Sequence, residues 1–181
     1  VEELARHFRL SQDWAKAIRH GLQAGERAQS LYAHAAALEH YRLVEGCLDQ
    51  PTLEWPREQV ARLRAQIAER RGQVLTIVGD YEAAERWFDQ ALRLYSELGE
   101  RDRQAGSLNQ LSFLSFLRKD YSQAAAWAER SLAVLPEAPR DASLLAAGLT
   151  HLGLAAWAQG RPEQALPRLE QARALLEAPG G

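Results

Sequence analysis

The stretch GDYEAAERWFDQALRLY, from Gly79 to Tyr95, decides the fold because it returns twice. It comes back as KDYSQAAAWAERSLAVLP from Lys119 and as GRPEQALPRLEQARALLE from Gly160. Superposed, the three copies place Ala84, Ala124 and Ala165 at one position, at spacings of 40 and 41 residues. Twelve residues before each alanine stands another small residue, Gly72, Ser112 or Gly153, and seven after it stands Ala91, Ser131 or Ala172. Two helices that cross in contact need short side chains at the crossing, because a long one would push the axes beyond the usual roughly 8–10 Å. A chain that repeats this pattern builds its core by stacking helical hairpins, each covering the apolar face of its neighbour.

The punctuation between apolar runs falls in the same register. Gly79 and Gly160 can take the left-handed conformation that ends a helix without a Cβ penalty. Asp80 and Asp120 can accept hydrogen bonds from the free amides of the following helix, and Pro162 suits a first turn, where no N–H is needed. The expected fold is all-α, a right-handed solenoid of antiparallel hairpins with about nine helices.

These residues resemble the tetratricopeptide repeat, in which a small residue and an aromatic on the first helix face a small residue and an aromatic on the second. The copy at 65–98 carries Gly72, Gly79, Asp80, Tyr81, Ala84, Phe88 and Ala91 at the expected offsets, with Ala68 in place of the usual early Trp. The next keeps Asp120, Tyr121, Ala124 and Pro136 but has Ser115 and Ala128 where aromatics are usual. The last keeps Gly153, Gly160, Ala165 and Ala172. The usual repeat is about 34 residues, so the longer spacing implies longer first helices or longer loops. We expect three hairpins within 57–178, at 57–98, 101–136 and 140–177. A Pro-containing linker at 51–56 sets them off from a divergent helical part at 1–50.

In that first part Ala17 and Ala37 lie only twenty residues apart. We read it as a hairpin whose second helix starts near Asp13 and continues, with a kink at Gly21 or Gly25, into a third helix starting near His34. Leu4, Ala5, Arg6, His7 and Phe8, then Asp13, Trp14, Ala17 and Ile18, then Tyr32, Ala33, Ala37, Leu38 and Tyr41 resemble the helical-repeat region of maltose-regulator-like (LuxR-type) transcriptional activators and related signalling ATPases. The resemblance implies a sensor or scaffold arm of a larger bacterial regulator in the cytoplasm, and in that family the repeat domain receives a small-molecule inducer. Val at position 1 and the lack of any Met fit a piece of a longer protein.

Composition narrows the function classes. Hydrophobic residues make up 46% and charged residues 25%, the balance of a folded chain rather than a disordered one. No apolar run approaches the roughly 20 residues of a membrane span. A net charge of −2 with interspersed signs gives no concentrated basic face for nucleic acid. The run Arg57, Arg62, Arg64, Arg70 and Arg71 is diluted by Glu58 and Glu69 and reads as a solvated helix face. Cys47, the single cysteine, reads as a small core residue.

Local chemistry is sparse. His34 and His40 are six apart, off the three or four residues that would align metal ligands on a helix. No phosphate-cradling glycine loop and no nucleophile elbow occurs. Glu82, Glu85 and Asp89 stand at helical spacings beside Arg86 and Arg93, which reads as surface ion pairing. Trp87 and Trp127, each three residues after a repeat alanine, read as structural. We therefore expect no enzyme, cofactor or metal, and a protein or peptide as partner.

In this repeat class the first helix of each hairpin lines the inner groove. Alignment puts Asn109, Phe113 and Phe116, then Thr150, Leu154 and Trp157, on that side, where large rigid aromatics can anchor a peptide; His151, with no second histidine or cysteine nearby, is read as a further groove residue. Packing between adjacent hairpins is the competing role for the aromatics. The chaperone-binding members hold a carboxylate tail with Lys, Asn and Arg. Here the comparable positions are Gln66, Glu69, Gln73, Gly106, Asn109, Gln110 and Phe113, so that clamp is missing.

Overall fold

A computed structural model describes residues 2–136 and 141–177. Among the described residues nine helices and no strand form: α1 (Glu2–Leu10), α2 (Trp14–Ser30), α3 (His34–Leu48), α4 (Arg57–Val78), α5 (Tyr81–Glu97), α6 (Arg101–Leu117), α7 (Tyr121–Val134), α8 (Ala142–Ala158) and α9 (Pro162–Glu177). Residue 1 of the expected 1–50 part, and residues 137–140 and 178 of the expected 57–178 stretch, lie outside the described residues.

The turns form as their residues dictate. Gly79 and Gly160 have φ of 85° and 72°, and the N–H of Asp80 reaches back to the carbonyl of Leu75 at 3.0 Å, closing the helix end. Asp80 then caps α5 by accepting from the Ala83 N–H at 3.1 Å, and Asp120 caps α7 through the Gln123 N–H at 3.0 Å. α9 starts on Pro162. Lys119 takes the same left-handed conformation at φ 63° without the freedom of a glycine.

The small-residue register is the steric key to each hairpin. Ala84, Ala124 and Ala165 are fully buried, and so are Ala91 and Ser131. A Cβ on Gly72 would lie 2.6 Å from the ring of Phe88, and one on Gly153 would lie 2.8 Å from Leu169. In the middle repeat Ser112 takes the glycine's place and donates a 2.7 Å hydrogen bond to the carbonyl of Ala124. That bond satisfies a buried hydroxyl at a close backbone approach.

The first fifty residues depart from expectation. α2 runs unbroken from Trp14 to Ser30, and no kink is needed at Gly21 or Gly25. Both glycines mark a helix crossing, since a Cβ on Gly25 would lie 2.6 Å from the Tyr41 ring and one on Gly21 would lie 2.5 Å from Val44. Gly25, Ala37, Tyr41 and Val44 repeat the offsets of Gly72, Ala84, Phe88 and Ala91. α2 and α3 are thus a further hairpin of the same kind, with Tyr32 at φ 58° in the turn position that Gly79 fills later. α1 precedes it and packs on α2.

Stacking orders these hairpins. The first helices α4, α6 and α8 touch one another in succession, while the second helices α3, α5 and α7 each pack on the first helix of the next hairpin. The first helices therefore share one side of the stack, the inner side of the superhelix.

The arginine run of α4 is more than a solvated face. Arg64 pairs with Asp49, Arg70 with Glu26 at 3.5 Å, and Arg71 with Glu45, all reaching back to the preceding hairpin. The Arg71 guanidinium lies 3.6 Å from the centroid of Trp87, so this arginine sits between a carboxylate of α3 and an indole of α5. Glu85 likewise pairs across to Arg118 of the next hairpin at 2.6 Å, rather than with Arg86 or Arg93. Trp127 carries Arg130 over its ring at 4.4 Å. Cys47 is buried in the first core cluster, and burial pushes its thiol pKa up.

Candidate functional site

The sequence candidates lie on α6 and α8, two first helices in contact, and the structure brings Phe113 and His151 together across them. Phe113 is 39% exposed, Leu154 37% and Trp157 64%. Leu154 and Trp157, three residues apart, share one face of α8, and Phe113 stands on the adjoining α6. Large apolar groups left open to water in a folded chain favour contact with a partner when they are contiguous.

His151 ties the two helices together here. Its ring stacks on Phe113 with centroids 6.0 Å apart and planes 23° apart. Its Nδ1 is buried and has no hydrogen-bond partner among the described residues. Burial lowers its pKa from the ordinary histidine value, so the neutral ring is the form at neutral pH. A neutral imidazole against a phenyl ring extends the apolar surface and keeps one polar atom for directional contact.

The other candidates play different parts. Phe116 is half-buried, 5.4 Å from the Tyr121 ring of its own hairpin, and Thr150 is half-buried beside His151. Asn109 differs from a groove contact. It is 5% exposed and donates a 3.0 Å hydrogen bond to the Leu144 carbonyl, which holds α6 against α8. Its position in the register is on the inner side, but the close approach of the two helices swallows the short side chain.

Towards the N-terminal half the same groove changes character. Glu26, Gln66, Glu69, Arg70, Gln73 and Arg103 line a hollow between α2, α4 and α6. Glu69 accepts from the Tyr95 hydroxyl at 3.0 Å and lies 3.9 Å from Arg103. These charges pair with one another, so this half offers polar contacts without a strong net sign. Ile77, 59% exposed on α4, is an apolar group on the inner helices that the sequence reading did not single out. Its place in the last turn of α4 was the available signal. Among the described residues no group of three His, Cys, Asp or Glu could hold a metal ion, and no helix is long and apolar enough to cross a membrane.

Comparison with known proteins agrees with this architecture. Residues 63–137 match the family described as tetratricopeptide repeat. No curated protein matches the chain. Among solved structures, BtubC (BKLC) from P. vanneervenii is similar with a TM-score of 0.69 at 23% identity, covering 98% of this chain and 79% of its own. A structure of MamA is similar with a TM-score of 0.64 at 14% identity, covering 96% of this chain and 95% of its own. A second MamA structure gives 0.63 at 14% identity, covering 97% and 89%. The fold is a tetratricopeptide-repeat-like superhelix.

Proposed function

We propose that the chain is a noncatalytic scaffold that binds a protein or peptide segment along the inner face of α6 and α8. The observation that carries this reading is the exposure of Phe113, Leu154 and Trp157 on neighbouring first helices, with the neutral His151 stacked on Phe113. Phe113, His151, Leu154 and Trp157 make the contacts, Phe116 and Thr150 flank them, and Asn109 sets the spacing of the two helices. The segment bound carries a block of apolar side chains for these contacts and polar side chains for the half of the groove around Glu69, Arg70 and Arg103.

The wider setting we infer is a larger bacterial signalling or transcriptional regulator in the cytoplasm, in which 1–50 is a divergent N-terminal part, 51–56 a linker and 57–178 three repeats. Its support is the resemblance of the first fifty residues to the LuxR-type activators. Sensing of a small-molecule effector is a second reading, favoured by a small apolar cavity enclosed by α1, α2 and α3, away from the groove.

The test is selection of binders from a phage-displayed random peptide library, followed by affinity measurement on Phe113→Ala and Trp157→Ala. Truncating an interface anchor costs about 2 kcal/mol or more, roughly thirtyfold in Kd. Selected peptides that bind both folded variants as tightly as the wild type refute the groove.

A further inference from the structure

The first hairpin holds a cavity that the second does not need to share. Ala5 of α1, Ala17 and Gly21 of α2, and His40, Val44 and Cys47 of α3 enclose a space of about 180 Å³. The repeat register explains it. Where the α2/α3 hairpin has Ala17, His40 and Cys47, the α4/α5 hairpin has Arg64, Trp87 and Leu94, each larger than its counterpart. The cavity is the volume those larger side chains would otherwise occupy.

Its chemistry is two-sided. The floor is apolar, with Ala17 and Cys47 each 2% exposed and Val44 1%. At the mouth stand Arg6 and Arg9 of α1, both exposed. Neither makes an ion pair among the described residues, whereas the acid at the mouth, Glu2, lies 3.3 Å from His40. An adjoining cleft shares Arg6, Arg9 and Cys47 and adds Arg42, whose charge is taken up by Glu39 at 2.8 Å. Two guanidiniums without an ion-pair partner among the described residues, over an apolar pocket, favour a ligand with a carboxylate on a compact apolar body. Size selects the body, since an apolar cavity of about 150 Å³ accommodates a benzene ring.

We propose that the cavity between α1, α2 and α3 binds a small monocarboxylate carrying one aromatic ring. The ring lies against Ala17, Gly21, Val44 and Cys47, and the carboxylate meets Arg6 and Arg9. This gives the effector-sensing reading a ligand class, and it shares no residue with the groove. The bound acid also bridges α1 to the α2/α3 hairpin, so it stabilises the N-terminal end of the stack.

Calorimetric titration of the full chain with 3-phenylpropanoate tests it, with 3-phenylpropanol as the uncharged analogue. The expected result is saturable one-to-one binding of the acid. Arg6→Gln/Arg9→Gln, two exposed changes that leave the core intact, weakens it by about tenfold or more, the scale of a lost charge-assisted hydrogen bond. The alcohol binds both proteins alike. Filling the cavity with His40→Trp, checked for helicity by circular dichroism, abolishes binding of the acid. Binding of the acid that survives both the arginine and the filling variants overturns the site. No binding of either compound, combined with another metabolite that slows alkylation of Cys47, overturns the ligand class and leaves effector sensing standing. No binding and no protection of Cys47 by any compound of a metabolite panel overturns both.

Discussion

Replacing Gly72 by alanine puts the steric account of the hairpin to a sharp trial. A helix-interior alanine is ordinarily better than glycine by about 1 kcal/mol. At Gly72 the new Cβ would stand 2.6 Å from Cε1 of Phe88 and 2.8 Å from its Cδ1 and Cζ, against an optimal carbon–carbon separation of about 3.5–4.0 Å. Phe88 is fully buried, so its ring can yield only by parting α4 from α5. Overpacking of this kind costs about 1–3 kcal/mol, which offsets the propensity gain of about 1 kcal/mol and leaves a net loss of up to about 2 kcal/mol. Gly106→Ala is the matched control, because its Cβ would meet only Leu144 at 3.8 Å, an ordinary contact. It should stabilise by up to about 1 kcal/mol. Urea unfolding followed by far-UV circular dichroism reads both, and hydrogen exchange locates the change, since stacked repeats can unfold in parts. A Gly72→Ala midpoint that rises together with that of Gly106→Ala refutes the crossing argument.

Three further predictions come from single sites. Lys119→Gly relieves a left-handed φ of 63° and should raise stability by about 1 kcal/mol; a loss in thermal denaturation contradicts it. Arg71→Ala strips the cation from Glu45 and from the Trp87 face and should cost about 2 kcal/mol; urea denaturation within a few tenths of wild type argues against the inter-hairpin role. His151 has its pKa lowered by burial, so the unfolded chain takes up a proton there that the folded chain refuses. Its contribution is whole above the unfolded pKa of about 6.5 and is lost as pH falls below it. His151→Gln should therefore flatten the fall in melting temperature between pH 7 and 5 relative to wild type, and parallel curves refute the assignment.

The parts of the fold that local sterics control were legible in the sequence. The Gly72, Ser112 and Gly153 crossings and the Asp80 and Asp120 caps each depend on a residue within one hairpin, and the repeat displays the crossings three times and the caps twice. The first hairpin was harder to see. Tyr32 stands where glycine punctuates later, and the longer connection between α3 and α4 places Ala37 forty-seven residues before Ala84. The offset of twelve from Gly25 to Ala37 was the signal that could have found it. Arg71 was misread because its partner Glu45 lies twenty-six residues away in another hairpin. No local pattern announces that pairing. Asn109 shows the same limit at the site, since periodicity gives the side of a helix while burial depends on how closely α6 and α8 approach.

The central claim, that the inner face of α6 and α8 receives a peptide, is tested most directly by the indole N–H resonances. The chain has five tryptophans, Trp14, Trp55, Trp87, Trp127 and Trp157, and of these Trp157 alone is among the exposed large hydrophobic residues, at 64%. Titration of a selected peptide into ¹⁵N-labelled protein should shift the Trp157 indole signal strongly, with backbone shifts around Phe113 and His151, and leave the Trp14 and Trp55 indoles in place. A saturating peptide that leaves Trp157 unmoved while shifting indoles of the second helices contradicts the account.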